Sequence, residues 1–295
     1  MSSSQEGPLM SFQAVFVTSI GVICSVLTIV MNIYFIKRIG KTRQKMILFF
    51  YRLFIDAAYG VLACAYLTFC ILYSFFTEEL RAQQVFIIFV GFPLQTAGAM
   101  RMIVAVAISL ERVLAIHTPI MIRKYRDLCP SVIILLLAIG LGMLENLILH
   151  LFCTLHISAI PRNCGVLRCA VDACFFDIWT VNRSVVFALN FAFSGVLSTK
   201  LLIFHKSHRQ NTGGVHWKVN HLAMVDAANV FLCNFFPTSI SNYIAQFPFS
   251  SFKNIGPYVF IIKLIGSAVE SYFIFKILQR RSARSSVVIR TWTNH

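Results

Sequence analysis

The chain alternates long uncharged stretches with short clusters of lysine and arginine. From Gly7 to Ile36 there is no charged side chain, and the first candidate span lies within this run at 13–36. A second apolar run, 46–75, carries Arg52 and Asp56 near its start and is uncharged from Ala57 onward. Further runs occupy 85–111, 131–153, 185–204, 222–244 and 256–275. A helix crosses the roughly 30 Å hydrocarbon core with about 20 apolar residues at 1.5 Å each, and each stretch approaches or exceeds that length. In lipid the backbone must satisfy its own hydrogen bonds, which such segments do as helices. The pattern predicts an all-α membrane protein, a single seven-transmembrane helix bundle over residues 1–295 with a tail at 276–295. Six or eight spans are the neighbouring counts, because the fifth and seventh runs are the most marginal.

Composition agrees with that pattern. The chain is 58% hydrophobic but 13% charged, about half the charged share of a soluble domain. No composition shift divides it. The opening MSSSQEGPLMSF has no positive region ahead of its first apolar run, so that run is expected to stay as a membrane anchor.

The net charge of +15 changes the picture only through its distribution. Seventeen Lys and Arg follow runs one, three, five and seven: Lys37, Arg38, Lys41, Arg43, Lys45, Arg123, Lys124, Arg126, Lys200, Lys206, Arg209, Lys218, Lys276, Arg280, Arg281, Arg284 and Arg290. The opposite side holds five, namely Arg81, Arg162, Arg168, Arg183 and Lys253. Cationic loops remain cytoplasmic, so the expectation is an outside N-terminus and a cytoplasmic C-terminus. Basic residues grouped between apolar runs do not form a nucleic-acid face. Anionic membrane lipids are the fitting partners for these clusters.

"SLERVLAIHTPI", 109–120, ends the third run with Glu111-Arg112 and then Thr118-Pro119. Pro119 lacks a backbone donor and disfavours helix just before it, so the helix is expected to end nearby. Glu111-Arg112 with its "VLAIHTPI" continuation resembles the Asp/Glu-Arg-Tyr region of rhodopsin-like G-protein-coupled receptors. "YRLFIDAAYG" at 51–60 and "VDAANVFLCNFFPT" at 225–238 resemble the nematode serpentine chemoreceptors, most like class bc. The likeness extends over nearly the whole chain, although each motif is short. It implies a chemosensory, olfactory-type receptor that binds an external small molecule and activates a heterotrimeric G protein, with Arg112 coupling and Glu111 restraining it. A multi-pass protein of the plasma membrane is implied, with sensory cilia as a candidate location. Departures from the rhodopsin-like pattern are clear. Run seven reads "IGSAVESYFIFK" without Asn-Pro-x-x-Tyr, run six has Phe-Phe-Pro, and no cysteine opens run three.

Ionisable groups inside spans are costly and usually face the bundle. Arg52 and Asp56, four residues apart, share a helix face and can pair. Arg101, in mid-span, requires a carboxylate, for which Asp56, Glu270 and Glu145 are candidates. Lys263 and Glu270 are seven apart on one face and are expected to join the same polar network. Lys263 also invites comparison with opsins, which bind retinal on a span-seven lysine. A ligand is expected to enter from the outer side among spans three, five, six and seven. Phe193, Phe235, Phe236, Tyr243, Tyr258 and Phe260 are candidate liners, and Pro237 is a candidate hinge. With 28 phenylalanines in the chain, lipid-facing or packing roles compete for each. Pockets are largely apolar with few polar anchors, which favours a mostly apolar, odorant-like ligand.

Cys153, Cys164, Cys169 and Cys174 cluster in or beside the second outer loop, where oxidation is permitted. Four cysteines allow three pairings. A zinc site with His156 has poor ligand spacing, so neither metal nor cofactor is expected. No phosphate loop, metal-ligand helix motif or nucleophile elbow occurs in the sequence, so no catalytic activity is expected. The alternative reading is a small-molecule transporter or ligand-gated channel using the intramembrane charges. It lacks paired broken spans and an inverted repeat.

Overall fold

The computed structural model describes residues 10–39, 47–118, 131–152, 167, 173–207, 228–238, 240 and 256–292. Its helices are α1 (Phe12–Ile39), α2 (Ile47–Phe75), α3 (Phe86–His117), α4 (Ser131–Phe152), α5 (Ala173–Ser207), α6 (228–238) and α7 (Tyr258–Trp292). A single 3₁₀ turn, Arg81–Gln83, leads into α3. Among the described residues, five stretches are long and apolar enough to cross a membrane: Phe12–Arg38, Ile47–Phe75, Arg81–Glu111, Ile178–Leu197 and Tyr258–Lys276. A shorter apolar stretch lies in α4 at Val132–Leu144.

The helices pack as a closed bundle. α1 lies against α2 and α7, α3 contacts α2, α4 and α5, and α6 sits between α5 and α7. One end, where α2 finishes and α3 and α7 begin, is called the upper end below. Large apolar side chains point away from the bundle all around it, including Phe12, Ile23, Phe54, Phe89, Leu136 and Val181. Water would penalise so large an apolar surface, whereas lipid tails match it.

The upper core is built around Leu67, Tyr73, Ile87 and Leu264, which are almost fully buried. Met10 donates its backbone N–H to Ser74 Oγ at 2.9 Å and so ties the N-terminal segment to α2. Gly256 closes this end with φ of +72°. A Cβ there would lie 3.0 Å from Thr18 Oγ1 and 3.1 Å from Met10 Cε, so both space and backbone favour glycine.

Two helix features bear on function. α3 stops at His117, and both the N–H and the hydroxyl of Thr118 donate to Leu114 O, capping the last turn ahead of Pro119. α6 is wound as a π-helix over Val230–Phe235, and Phe236 N–H bonds back to Phe231 O, one residue further than in an α-helix. Pro237, which is buried, follows at once.

Candidate functional site

Four charged side chains meet inside the bundle. Arg52 Nε lies 3.9 Å from Asp56 Oδ2 within α2. Arg52 Nη2 also pairs with Glu270 Oε1 on α7. Arg101 on α3 approaches the same two carboxylates, its Nε 2.6 Å from Asp56 Oδ1 and its Nη2 3.4 Å from Glu270 Oε2. Charges of alternating sign therefore close a four-membered ring across α2, α3 and α7, with a formal sum of zero. Arg52, Asp56 and Glu270 are buried.

A hydrogen bond extends the ring to α6, and a neighbouring one ties α1 to α7. Asn229 on α6 donates to Glu270 Oε2 at 3.3 Å. Arg101 donates to Ser267 Oγ, which donates onward to Lys263 O at 2.9 Å. Asn32 on α1 donates to Ser271 Oγ at 3.4 Å, one residue beyond Glu270. Gly266 makes the close approach of α6 and α7 possible, since a Cβ there would lie 2.5 Å from Asn229 Oδ1 and 2.6 Å from Cys233 Cβ.

Directly above the ring is a cavity of about 270 Å³. It is formed by α2, α3, α5, α6 and α7, and Leu167 reaches into its upper part from between α4 and α5. Leu167 is anchored by its N–H, which donates to Tyr66 OH at 2.8 Å. Gly91 leaves room for it, because a Cβ there would stand 3.0 Å from Leu167 Cδ1. Arg101 belongs to the cavity wall as well as to the ring, and its guanidinium lies over the Tyr59 ring at 5.6 Å.

Two further cations line the wall. Arg183 is buried and donates to Gln95 O at 2.8 Å, with its guanidinium 5.4 Å from the centre of the Trp179 ring. Lys263 Nζ stands 5.8 Å from the same ring and 5.4 Å from that of Phe187. A cation over an aromatic face is attracted by the ring quadrupole, so the three aromatic contacts hold both heads in place.

The expected site residues separate into groups. Arg52, Asp56, Arg101 and Glu270 come together. Lys263 stands apart from that ring, because seven residues along α7 amount to about 10 Å at 1.5 Å per residue, two turns nearer the upper end. Tyr258 and Phe260 line the cavity, whereas Phe193, Phe235 and Phe236 do not. Phe235 instead stacks on Phe231 with centroids 5.8 Å apart, and Phe236 is half exposed on the bundle surface. The extra residue in the π-turn sets which way this part of α6 faces.

Other candidates fall partly outside the described residues. Tyr243, Cys153, Cys164 and Cys169 lie wholly outside them, as do the side chains of Arg112 and Glu145. Glu111 is exposed near the lower end of α3. Cys174 is disulfide-bonded, and its partner is outside the described residues, because the other described cysteines, Cys24, Cys64, Cys70 and Cys233, are free thiols.

Arg183 is the residue that sequence reasoning misplaced. Counted above among the loop cations of the side opposite the basic clusters, it lies ten residues into α5 and lines the cavity. Trp179, one turn earlier on the same face, was the available signal. The Arg183 guanidinium packs against Gly98 of α3, where a Cβ would stand in ordinary contact at 3.5 Å from Nη1.

The sequence profile of the family described as serpentine type 7TM GPCR chemoreceptor Srbc matches residues 10–282. Curated proteins yield no match to the chain.

Proposed function

Because this chain belongs to the Srbc family of serpentine seven-transmembrane chemoreceptors, we propose that it binds an external small molecule in the upper cavity and activates a heterotrimeric G protein at the lower end. The observation that carries this reading is the double role of Arg101, which is part of both the cavity wall and the ion ring. A ligand that touches Arg101 competes with Asp56 and Glu270 for its guanidinium. Glu270 is bonded to Asn229 of α6, so loosening the ring releases a restraint between α6 and α7. The π-turn and Pro237 give α6 a place to bend.

At the lower end Arg112 would contact the G protein, with Glu111 restraining it at rest. Arg101 and Arg112 lie on one helix, about 17 Å apart along its axis at 1.5 Å per residue. Between them Ser109 bonds Asn190 Oδ1 at 3.2 Å and meets Ser194 Oγ at 3.4 Å, fastening α3 to α5. Displacement of α3 at the ring would therefore be carried to the coupling end by a rigid element.

In this reading the upper end faces outward, the C-terminal tail and basic clusters meet cytoplasmic lipid and the G protein, and the site lies in the plasma membrane. The protein performs no catalysis and binds no nucleic acid. The ring gives the transporter or channel alternative no support, because its four charges neutralise one another.

The test is agonist-evoked G-protein signalling in a heterologous cell. It is expected to vanish on Arg112→Ala while surface expression persists. Signalling that survives this substitution, or a ligand-gated current without G protein, would remove the reading.

A further inference from the structure

We infer that the cavity is a site for a small organic anion, a carboxylate in the first instance, held between Lys263 and Arg183. This rests on the receptor reading and specifies its ligand. Three cationic side chains, Arg101, Arg183 and Lys263, line the cavity, and no aspartate or glutamate is among its described lining residues. Arg101 is matched by the carboxylates of the ring below. Among the described residues, Lys263 makes no ion pair.

A cation within a membrane bundle is unfavourable without an opposite charge. The faces of Trp179 and Phe187 attract the ammonium but carry no net charge. An anion entering the cavity supplies what they do not. Its hydrogen bonds would be charge-assisted and so stronger than those of a neutral ligand. Thr180 and Asn234 also line the wall and offer side-chain donors beside the cations.

Most of the remaining lining is apolar or aromatic, including Tyr66, Leu94 and Phe260. The occupant is therefore amphiphilic, with a charged head and an apolar body. At about 270 Å³ the cavity is near the small end of the roughly 300–1,000 Å³ usual for ligand sites. That size fits a compact acid and excludes a whole phospholipid. The apolar odorant expected from sequence alone leaves Lys263 without a counter-charge.

The test uses the full chain in phosphatidylcholine nanodiscs, with Trp217→Phe and Trp292→Phe leaving Trp179 as the fluorescent reporter. The probes are octanoate, benzoate and phenylacetate, each paired with the primary alcohol of the same skeleton. Carboxylates are expected to quench Trp179 at about ten- to hundred-fold lower concentration than their alcohols, the range for one charge-assisted hydrogen bond. Lys263→Met should shrink the difference, leaving only what Arg183 supplies, and Lys263→Arg should keep it. Among the described residues Lys263 makes no ion pair for methionine to break, so the Met variant is expected to fold.

Equal or tighter binding of the alcohols, an undiminished preference in Lys263→Met, or binding by neither set would overturn the proposal. Carboxylate binding without G-protein activation would keep the anion site and remove the receptor reading. Activation by the alcohols alone would do the reverse. Adding phosphatidylserine to the discs checks the source of the anion. Unchanged carboxylate affinity supports a ligand from water, and a weakened one assigns the site to lipid and overturns the soluble ligand.

Discussion

Arg101 Nε stands 2.6 Å from Asp56 Oδ1, and the same guanidinium forms part of the cavity wall. One side chain thus belongs to the place where a ligand can sit and to the place where four helices are tied together. Loss of Arg101 leaves Asp56 and Glu270 sharing Arg52 alone. Removing one partner of a buried ion pair costs about 3–5 kcal/mol. Arg101→Met is therefore expected to lower the unfolding temperature in detergent and reduce surface expression. Neutralising its partner too, as Arg101→Met with Asp56→Asn, should recover part of the loss. Thermal unfolding of the single and double variants checks this; equal stability of wild type and Arg101→Met would contradict it.

Glycine substitutions separate close packing from open space. A methyl at Gly266 would overlap Asn229 and Cys233, whereas nothing lies within 4 Å of a methyl at Gly195. Overpacking typically costs about 1–3 kcal/mol, and alanine in a helix interior gains about 0.5–1 kcal/mol over glycine. Gly266→Ala should destabilise the protein, and Gly195→Ala should leave it unchanged or slightly more stable. The same unfolding assay reads both.

Pro237 follows the π-turn of α6. Alanine restores a backbone donor and removes the ring that obstructs a regular helix. Pro237→Ala is expected to express at the surface and to lose most agonist-evoked signalling, because α6 no longer bends there. Full signalling by this variant would show that the bend is not used. Dose–response curves at matched expression make the comparison.

Orientation is checked most simply by tags. An epitope at the N-terminus should be accessible on intact cells, and one at the C-terminus should require permeabilisation. Both tags on one face would contradict the expected topology.

Much of this arrangement was legible in the sequence, and its limits have physical causes. Thr118-Pro119 foretold the end of α3. Spacing of four foretold that Arg52 and Asp56 share a face. The need of Arg101 for a carboxylate narrowed its partners to three, two of which it reaches. Arg183 was missed because the fifth apolar run starts only at Val185, while the helix itself begins at Ala173. Spacing of seven placed Lys263 correctly on the face of Glu270, but face is not depth. The two turns between them separate cavity from ring. The π-turn left no mark in composition or periodicity, and without its register the phenylalanines of α6 could not be assigned to cavity or lipid.

Coupling between cavity and G protein is open to one direct measurement. Affinity for an agonist that evokes signalling in the heterologous cell can be compared in nanodiscs with and without the heterotrimeric G protein. Linkage requires that a partner stabilising the active state also tightens the ligand, typically by about 5- to 150-fold. The expected result is such a tightening in the wild type and its loss in Arg112→Ala. Identical affinity in the presence and absence of G protein would contradict the claim that the two ends of the bundle are coupled.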